Sequence, residues 1–280
     1  MSRRAELDQR LRRLAEISDI MAAMKTMALI ETRKFARYMG HQQRLVENIE
    51  AAAADFLGFH PALRPGAEAA TGDGHLIILI GSERGFCGDF NETVAAALVA
   101  VPEPQPRLIA VGRRLAAKLE GHSRLIEWRD GPTVAEEVRP VLDGLLARLR
   151  ELQADGESWT RLSVLAHDPD GGVATHAVLP MNPPETGRVA YPPRLNLEAS
   201  TFFAALTEQY LIATLPGLFL GSLMAENRRR LEHMERALGR MEVKMDDLGR
   251  RRNVLRQEEI TEEIEVILLS AKTGLGGAGE

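Results

Sequence analysis

The sequence predicts an α/β protein that carries a long antiparallel coiled coil. Its N- and C-terminal helices pair, and between them lies a Rossmann-like domain with a largely parallel sheet. Three observations predict this. Apolar residues recur in alternating steps of three and four at both ends of the chain, strand-like and helix-like stretches alternate in the middle, and the ends are basic while the middle is acidic.

The C-terminal run from Glu226 to Ser270 holds no proline and two glycines in 45 residues. Leu231, Met234, Leu238, Met241, Met245 and Leu248 fall in step, Arg252 interrupts, and Leu255 resumes, which makes a coiled-coil seam of about three heptads. Beyond Leu255 the next apolar residues are Ile260, Ile264 and Ile267, so the seam is expected to shift there. Such a helix would be roughly 68 Å long, and one narrow stripe along it needs a partner helix. The N-terminus supplies one. Leu14, Ile17, Met21, Met24, Ala28, Phe35, Tyr38, Leu45, Ile49, Ala52 and Phe56 keep similar steps, broken by Glu31 and Gln42, over a helix of roughly 80 Å. The methionines at 21, 24, 27, 234, 241 and 245 read as seam packing.

Between the ends, residues 60–74 are rich in proline, glycine and alanine and read as a linker. His75–Gly81 is a buried strand, followed by the loop GSERGFCGDFN and a helix from Glu92 to about Val101, stopped by Pro102, Pro104 and Pro106. A strand at Arg107–Gly112, a helix around Arg113–Glu120 and a short strand at Leu125–Trp128 come next. Then come a helix from Thr133 to Gln153, kinked at Pro140, and strands at Arg161–His167 and Val173–Leu179 around the turn DPDGG. This alternation indicates a mainly parallel sheet. Met181–Arg194 contains four prolines and closes the domain. A helix from about Glu198 to Leu215 leads through a break at Pro216-Gly217 into the last rod. The expected divisions are residues 1–58, 75–193 and 198–270, with 271–280 a flexible tail.

With 280 residues, 27% charged and 45% hydrophobic, the chain reads as an ordinary soluble protein with an ample core. No apolar stretch reaches 18 residues, so no direct membrane span is expected. The closest, Leu211–Met224, is interrupted at Pro216. Arg3 and Arg4 precede no apolar segment, and Glu6 and Asp8 argue against a transit peptide. The single cysteine, Cys87, excludes an internal disulfide and fits a reducing compartment. Net charge is −5, yet residues 1–44 hold ten basic side chains against five acidic, and residues 226–256 ten against six. Basic helices on an acidic body point to an acidic partner.

Candidate sites are few. The loop Gly81–Asn91 lies where α/β folds bind phosphates, but its glycines match neither phosphate-binding spacing. Glu83 and Asp89 also put negative charge where a phosphate would sit. Cys87 has no histidine nearby in sequence, the seven histidines form no ligand pair, and Asp168 and Asp170 read as hairpin caps. No catalytic, cofactor-binding or metal-binding residue is expected.

Three stretches, taken with the two long helices, resemble the gamma subunit of F-type ATP synthases. Ile20-Met21-Ala22-Ala23-Met24-Lys25 is similar to the family's I-x-K-A-M-K run, and Ser82–Asn91 to its S-D-R-G-L-C-G-G-L-N loop. Asn253–Glu263 is similar to its N-K-A-R-Q-x-x-I-T-x-E segment. A family spacing also falls on Glu226, Arg230, Leu231, Met234 and Ala237. Asp89 replaces a family glycine, Leu195-Asn196-Leu197-Glu198 stands where a Tyr-Glu-Pro-Asp segment would, and Pro216-Gly217 interrupts a helix that usually runs unbroken. These departures mark a divergent member. The cysteine pair of the chloroplast type is absent.

The resemblance implies a non-catalytic central-stalk rotor subunit that couples ion flow through a membrane c ring to ATP synthesis or hydrolysis. Implied partners are the alpha and beta subunits, the epsilon subunit and the c ring, with no nucleic acid. The implied location is peripheral, on the cytoplasmic face of the bacterial inner membrane. Met24, Lys25, Arg230, Arg256, Gln257 and Thr261 are the partner-binding residues it implies. Two rivals make different demands. A phosphate-binding α/β enzyme dimerising through its helices needs an anion-accepting loop, which Glu83 and Asp89 oppose; a coiled-coil nucleic-acid binder would exploit the basic helices, yet the whole chain is acidic and only 5% aromatic.

Overall fold

The computed structural model describes residues 3–65, 74–101, 106–156, 159–183 and 191–275, with side chains to residue 269. Most of the expected linker, part of the proline-rich closing segment and residues 276–280 of the expected tail lie outside these. Helix α1 spans Arg3–Phe59 and helix α5 spans Ala199–Leu275. The chain divides into two compact units: Met1–Met27 with Glu232–Glu280, and Ala28–Leu231.

In the first unit α1 and α5 pair antiparallel. Lys25 meets Glu235 at 2.8 Å, Asp8 meets Arg252 at 3.7 Å and Arg4 meets Glu259 at 3.0 Å. As the α1 position falls, its partner's number rises. These exposed pairs add at most about 1 kcal/mol each, so their main effect is to fix register. Between them Met21, Met234 and Leu248 are buried, while Leu14, Met24, Leu238, Met241, Met245 and Leu255 are half-buried.

The seam corrects the sequence expectation at both ends. Ile17 is 44% exposed, whereas Ser18 is turned in. Met27 is exposed too. On α5 the seam continues straight from Arg252 and Leu255 to Glu259 rather than shifting, and Ile260, Ile264 and Ile267 stay exposed. Seam positions follow the heptad step, and Arg252 and Glu259 on them find ionic partners in Asp8 and Arg4.

The second unit holds a five-stranded sheet: β1 (His75–Ile80), β2 (Arg107–Val111), β3 (Leu125–Arg129), β4 (Arg161–His167) and β5 (Val173–Leu179). The order is β3-β2-β1-β4-β5, parallel except for β5, which runs antiparallel to β4. Its helices are α2 (Phe90–Val99), α3 (Arg113–Lys118) and α4 (Ala135–Ala154). α4 runs on through Pro140.

The pleat sends alternate residues of β1 to opposite faces. Leu76, Ile78 and Ile80 join Leu142, Leu145 and Leu149 of α4, Phe219 and Leu223 of α5 and Phe35 of α1 in one core. Ile77 and Leu79 join Val94 of α2 and Leu115 of α3 in the other. Both faces are covered, which is why β1 reads as an unbroken apolar run. Along α1 in this unit Phe35, Ala53 and Phe56 are buried, and Met39, Val46 and Ile49 half-buried. Tyr38, Leu45 and Ala52, expected on the seam, face outward because the step falls on their neighbours.

The expected break at Pro216-Gly217 is absent, for α5 passes through it. Proline removes one helical donor and pushes a preceding carbonyl aside. Beside the proline, the Gln42 side chain of α1 donates to the Ala213 carbonyl, and a Cβ added at Gly217 would meet Gln42 Cγ only in ordinary contact at 3.6 Å. One 18-residue window of α5 reaches a mean hydropathy of 1.3. This helix carries Leu215, Phe219, Leu220 and Leu223 into the core, so its apolar character has a use in the fold. Replacing Gln42 by Leu should cost about 1–3 kcal/mol of stability, read as a lower urea midpoint for the full chain.

Candidate functional site

The sheet order reverses between β1 and β4, the crevice where α/β folds place ligands. Here the loop Gly81–Asn91 leaves β1, and its own residues fill the place. Glu83 Oε2 accepts the backbone N–H groups of Arg113 and Gly131, each at 2.9 Å. Its other oxygen lies 3.3 Å from Arg113 Nε. The Arg113 N–H opens α3, and the Gly131 N–H lies just beyond β3. Gly81 packs against α3 so closely that a Cβ would come within 2.2 Å of Leu115 Cβ, and Gly112 opposite has φ 111°. The crevice is therefore closed by structure rather than built to receive a phosphate.

Inside the loop, Ser82 N donates to Asn91 Oδ1 at 2.9 Å and Asn91 Nδ2 donates to Ser82 Oγ at 2.8 Å. Cys87 Sγ lies 3.3 Å from the same hydroxyl. Burial pushes the Cys87 thiol up, against an opposing pull from its bond to Ser82, so it is an inert packing group. His167, at the end of β4, stacks on Phe90 at 4.0 Å, and burial pushes its pKa down. Asp168 N donates to Gly172 O at 2.7 Å, closing the hairpin turn before β5.

Three consecutive arginines of α5 hold this loop and the neighbouring turn. Arg228 donates to Pro169 O at 2.9 Å. Arg229 pairs with Asp89 and reaches Gly171 O at 3.5 Å. Arg230 reaches Gly85 O at 3.4 Å and binds Asn227 and Glu226. Glu226 is buried, and desolvation pushes its carboxyl up to about 7 against the opposing charge of Arg230.

Arg230 therefore differs from the expectation of an outward partner contact. It is 8% exposed and its donors are committed within the chain. Its i, i+4 spacing from Glu226 was the available signal; Ser82, Asn91 and Asn227 carried none. The other expected residues lie on the two-helix unit. Met24 is half-buried on the seam and Lys25 is paired with Glu235. Arg256, Gln257 and Thr261 are exposed on α5, the Thr261 hydroxyl donating to Gln257 O at 2.9 Å.

The family model described as ATP synthase matches residues 3–273. The chain belongs to this family. Among curated relatives, the ATP synthase gamma chains of Clostridium botulinum strains Langeland and Okra are each 23% identical over 271 residues, covering 93% of this chain and 95% of theirs. Among solved structures, a chain of the Euglena gracilis mitochondrial ATP synthase rotor aligns with a TM-score of 0.60. It is 14% identical and covers 92% of this chain and 98% of that one. A chain from the OSCP/F1/c-ring structure of the same enzyme gives 0.63 at 14% identity, covering 99% and 97%. At such identity the likeness is one of fold. With the gamma chains, this member of the family is a non-catalytic subunit of an ATP synthase.

Arg230→Met leaves the Glu226 carboxylate buried without its partner and should cost about 3–5 kcal/mol. Pairing it with Glu226→Leu should recover most of that loss, as measured by denaturant unfolding of the full chain.

Proposed function

We infer that this chain is the central-stalk rotor subunit of an F-type ATP synthase. The observation that carries this reading is the antiparallel pairing of the chain's two ends, locked in register by Arg4–Glu259, Asp8–Arg252 and Lys25–Glu235. Two helices joined along a seam resist torsion better than one, which suits a shaft. In this reading the coil turns within the ring of alternating alpha and beta subunits. The α/β unit meets the epsilon subunit and the membrane c ring, and the complex sits peripherally on the cytoplasmic face of the bacterial inner membrane. ATP is made in the beta subunits, and this chain carries the rotation that drives their sites through successive states.

The partner contacts fall to Met24 and Lys25 on α1 and to Arg256, Gln257 and Thr261 on α5. Arg256 and Gln257 are free of the seam and present donors outward, and an arginine fork holds a carboxylate in a way lysine cannot copy. Arg230, expected alongside them, is bonded to Glu226 and Asn227 within the chain. The rival enzyme reading is disfavoured because Glu83 and Asp89 put negative charge in the loop where a phosphate would sit.

Affinity purification through a tag on this chain should bring down alpha, beta and c subunits with ATPase activity. Recovery of a lone chain that binds ATP would overturn the reading. In the assembled complex, Arg256→Leu with Gln257→Leu should lower turnover by about tenfold, the loss of roughly 1.4 kcal/mol, while circular dichroism shows the helices intact. Unchanged turnover would remove both residues from the contact surface.

A further inference from the structure

The sheet face that carries α2 and α3 holds an arginine with half of its guanidinium unmatched. Arg161 opens β4 in register with His75 of β1. Its Nε and Nη2 nitrogens are buried, and neither has a hydrogen-bond partner among the described residues. These two N–H groups form one edge of the guanidinium, the edge that takes both oxygens of a carboxylate in parallel. An unmade buried donor costs about 1–3 kcal/mol, so arginine is an expensive residue here unless an acceptor visits it.

Beside it lies a groove of about 390 Å³, within the roughly 300–1,000 Å³ of small-molecule sites. Ala97, Ala100 and Val101 at the end of α2 form one wall, and Leu165 and Val173 form the other. Among the described residues no acidic side chain lines it. His75 contributes no competing charge: burial, and then the Arg161 charge, push its pKa down, and its Nε2 lies 2.9 Å from Ser163 Oγ. The groove thus combines one permanent positive charge with apolar walls.

We propose that this groove binds an amphipathic monocarboxylate. The carboxylate seats on the Nε/Nη2 edge of Arg161, which turns about its last torsions to meet it, and the alkyl part lies against the α2 and β4–β5 walls. A single guanidinium balances one negative charge. Thr175 adds one hydroxyl to the lining, but a phosphate dianion would bring a second charge that no second cationic side chain among the described lining residues matches. The site lies on the opposite face of the sheet from α4, and none of its residues belongs to the partner contacts proposed above.

The test is thermal unfolding of the purified full chain with hexanoate, and with hexanol, acetate and inorganic phosphate in parallel. Hexanoate at several times its dissociation constant should raise Tm by about 2–4 °C, while the other three leave it unchanged. Arg161→Met should abolish the shift without lowering the unliganded Tm, since it removes the unmade donors. Ala100→Trp, at an exposed position on the rim, should also abolish it while leaving Arg161 in place. Absence of a hexanoate shift in the parent chain would overturn the proposal. So would an equal shift with phosphate, or a hexanoate shift that survives in either variant.

Discussion

A helix whose apolar residues occupy one position in every 3.5 can bury only a narrow stripe, and only another helix fits along it. That constraint governs this chain, because both of its ends carry such a stripe. Leu14, Met21 and Met24 on α1 and Met234, Met241, Met245 and Leu248 on α5 supply the apolar contact. Ser18, Lys25 and Arg252 occupy seam positions at some cost in stability. Polar residues on a seam restrict the registers available, and here Lys25 and Arg252 do so by pairing with Glu235 and Asp8. A shaft that slipped in register would lose its ionic pairs and its packing together.

The α/β unit handles its polar groups differently, by burying them. Glu226, Asn227 and Arg230 are all buried and bonded to one another, and Arg230 reaches the loop after β1 through Gly85 O. Glu83 does the same at the sheet's edge, spending its carboxylate on two backbone donors. Both carboxylates, Glu226 and Glu83, are thus committed to donors within the chain.

Strands β1, β2 and β4 were legible because each is a short apolar run bounded by turn residues and kept unbroken by burial on both faces, whereas β3 and β5 are only part-buried and mix in polar residues. The coil was legible in its step but less so in its members. Choosing residues by hydrophobicity put Ile17, Tyr38 and Leu45 on the seam, where the structure puts Ser18, Met39 and Val46. The helix through Pro216 was hidden because the contact beside the proline comes from Gln42, 174 positions away in the chain and itself taken for a break. Arg230 was hidden because a basic residue beside two others reads as surface, and only the depth of Glu226 brings it inside. Local patterns recorded the elements, while the exceptions were decided by contacts between distant residues.

The central claim is that the two terminal helices turn as one body. Asp8→Cys with Arg252→Cys, across another pair of the coil and in a chain carrying Cys87→Ser, can be joined by a short bismaleimide within the assembled complex. A single rod predicts crosslinking inside one chain with ATP turnover preserved, because nothing between the helices has to move. Crosslinks formed only between chains, or turnover abolished in the crosslinked complex, would contradict it.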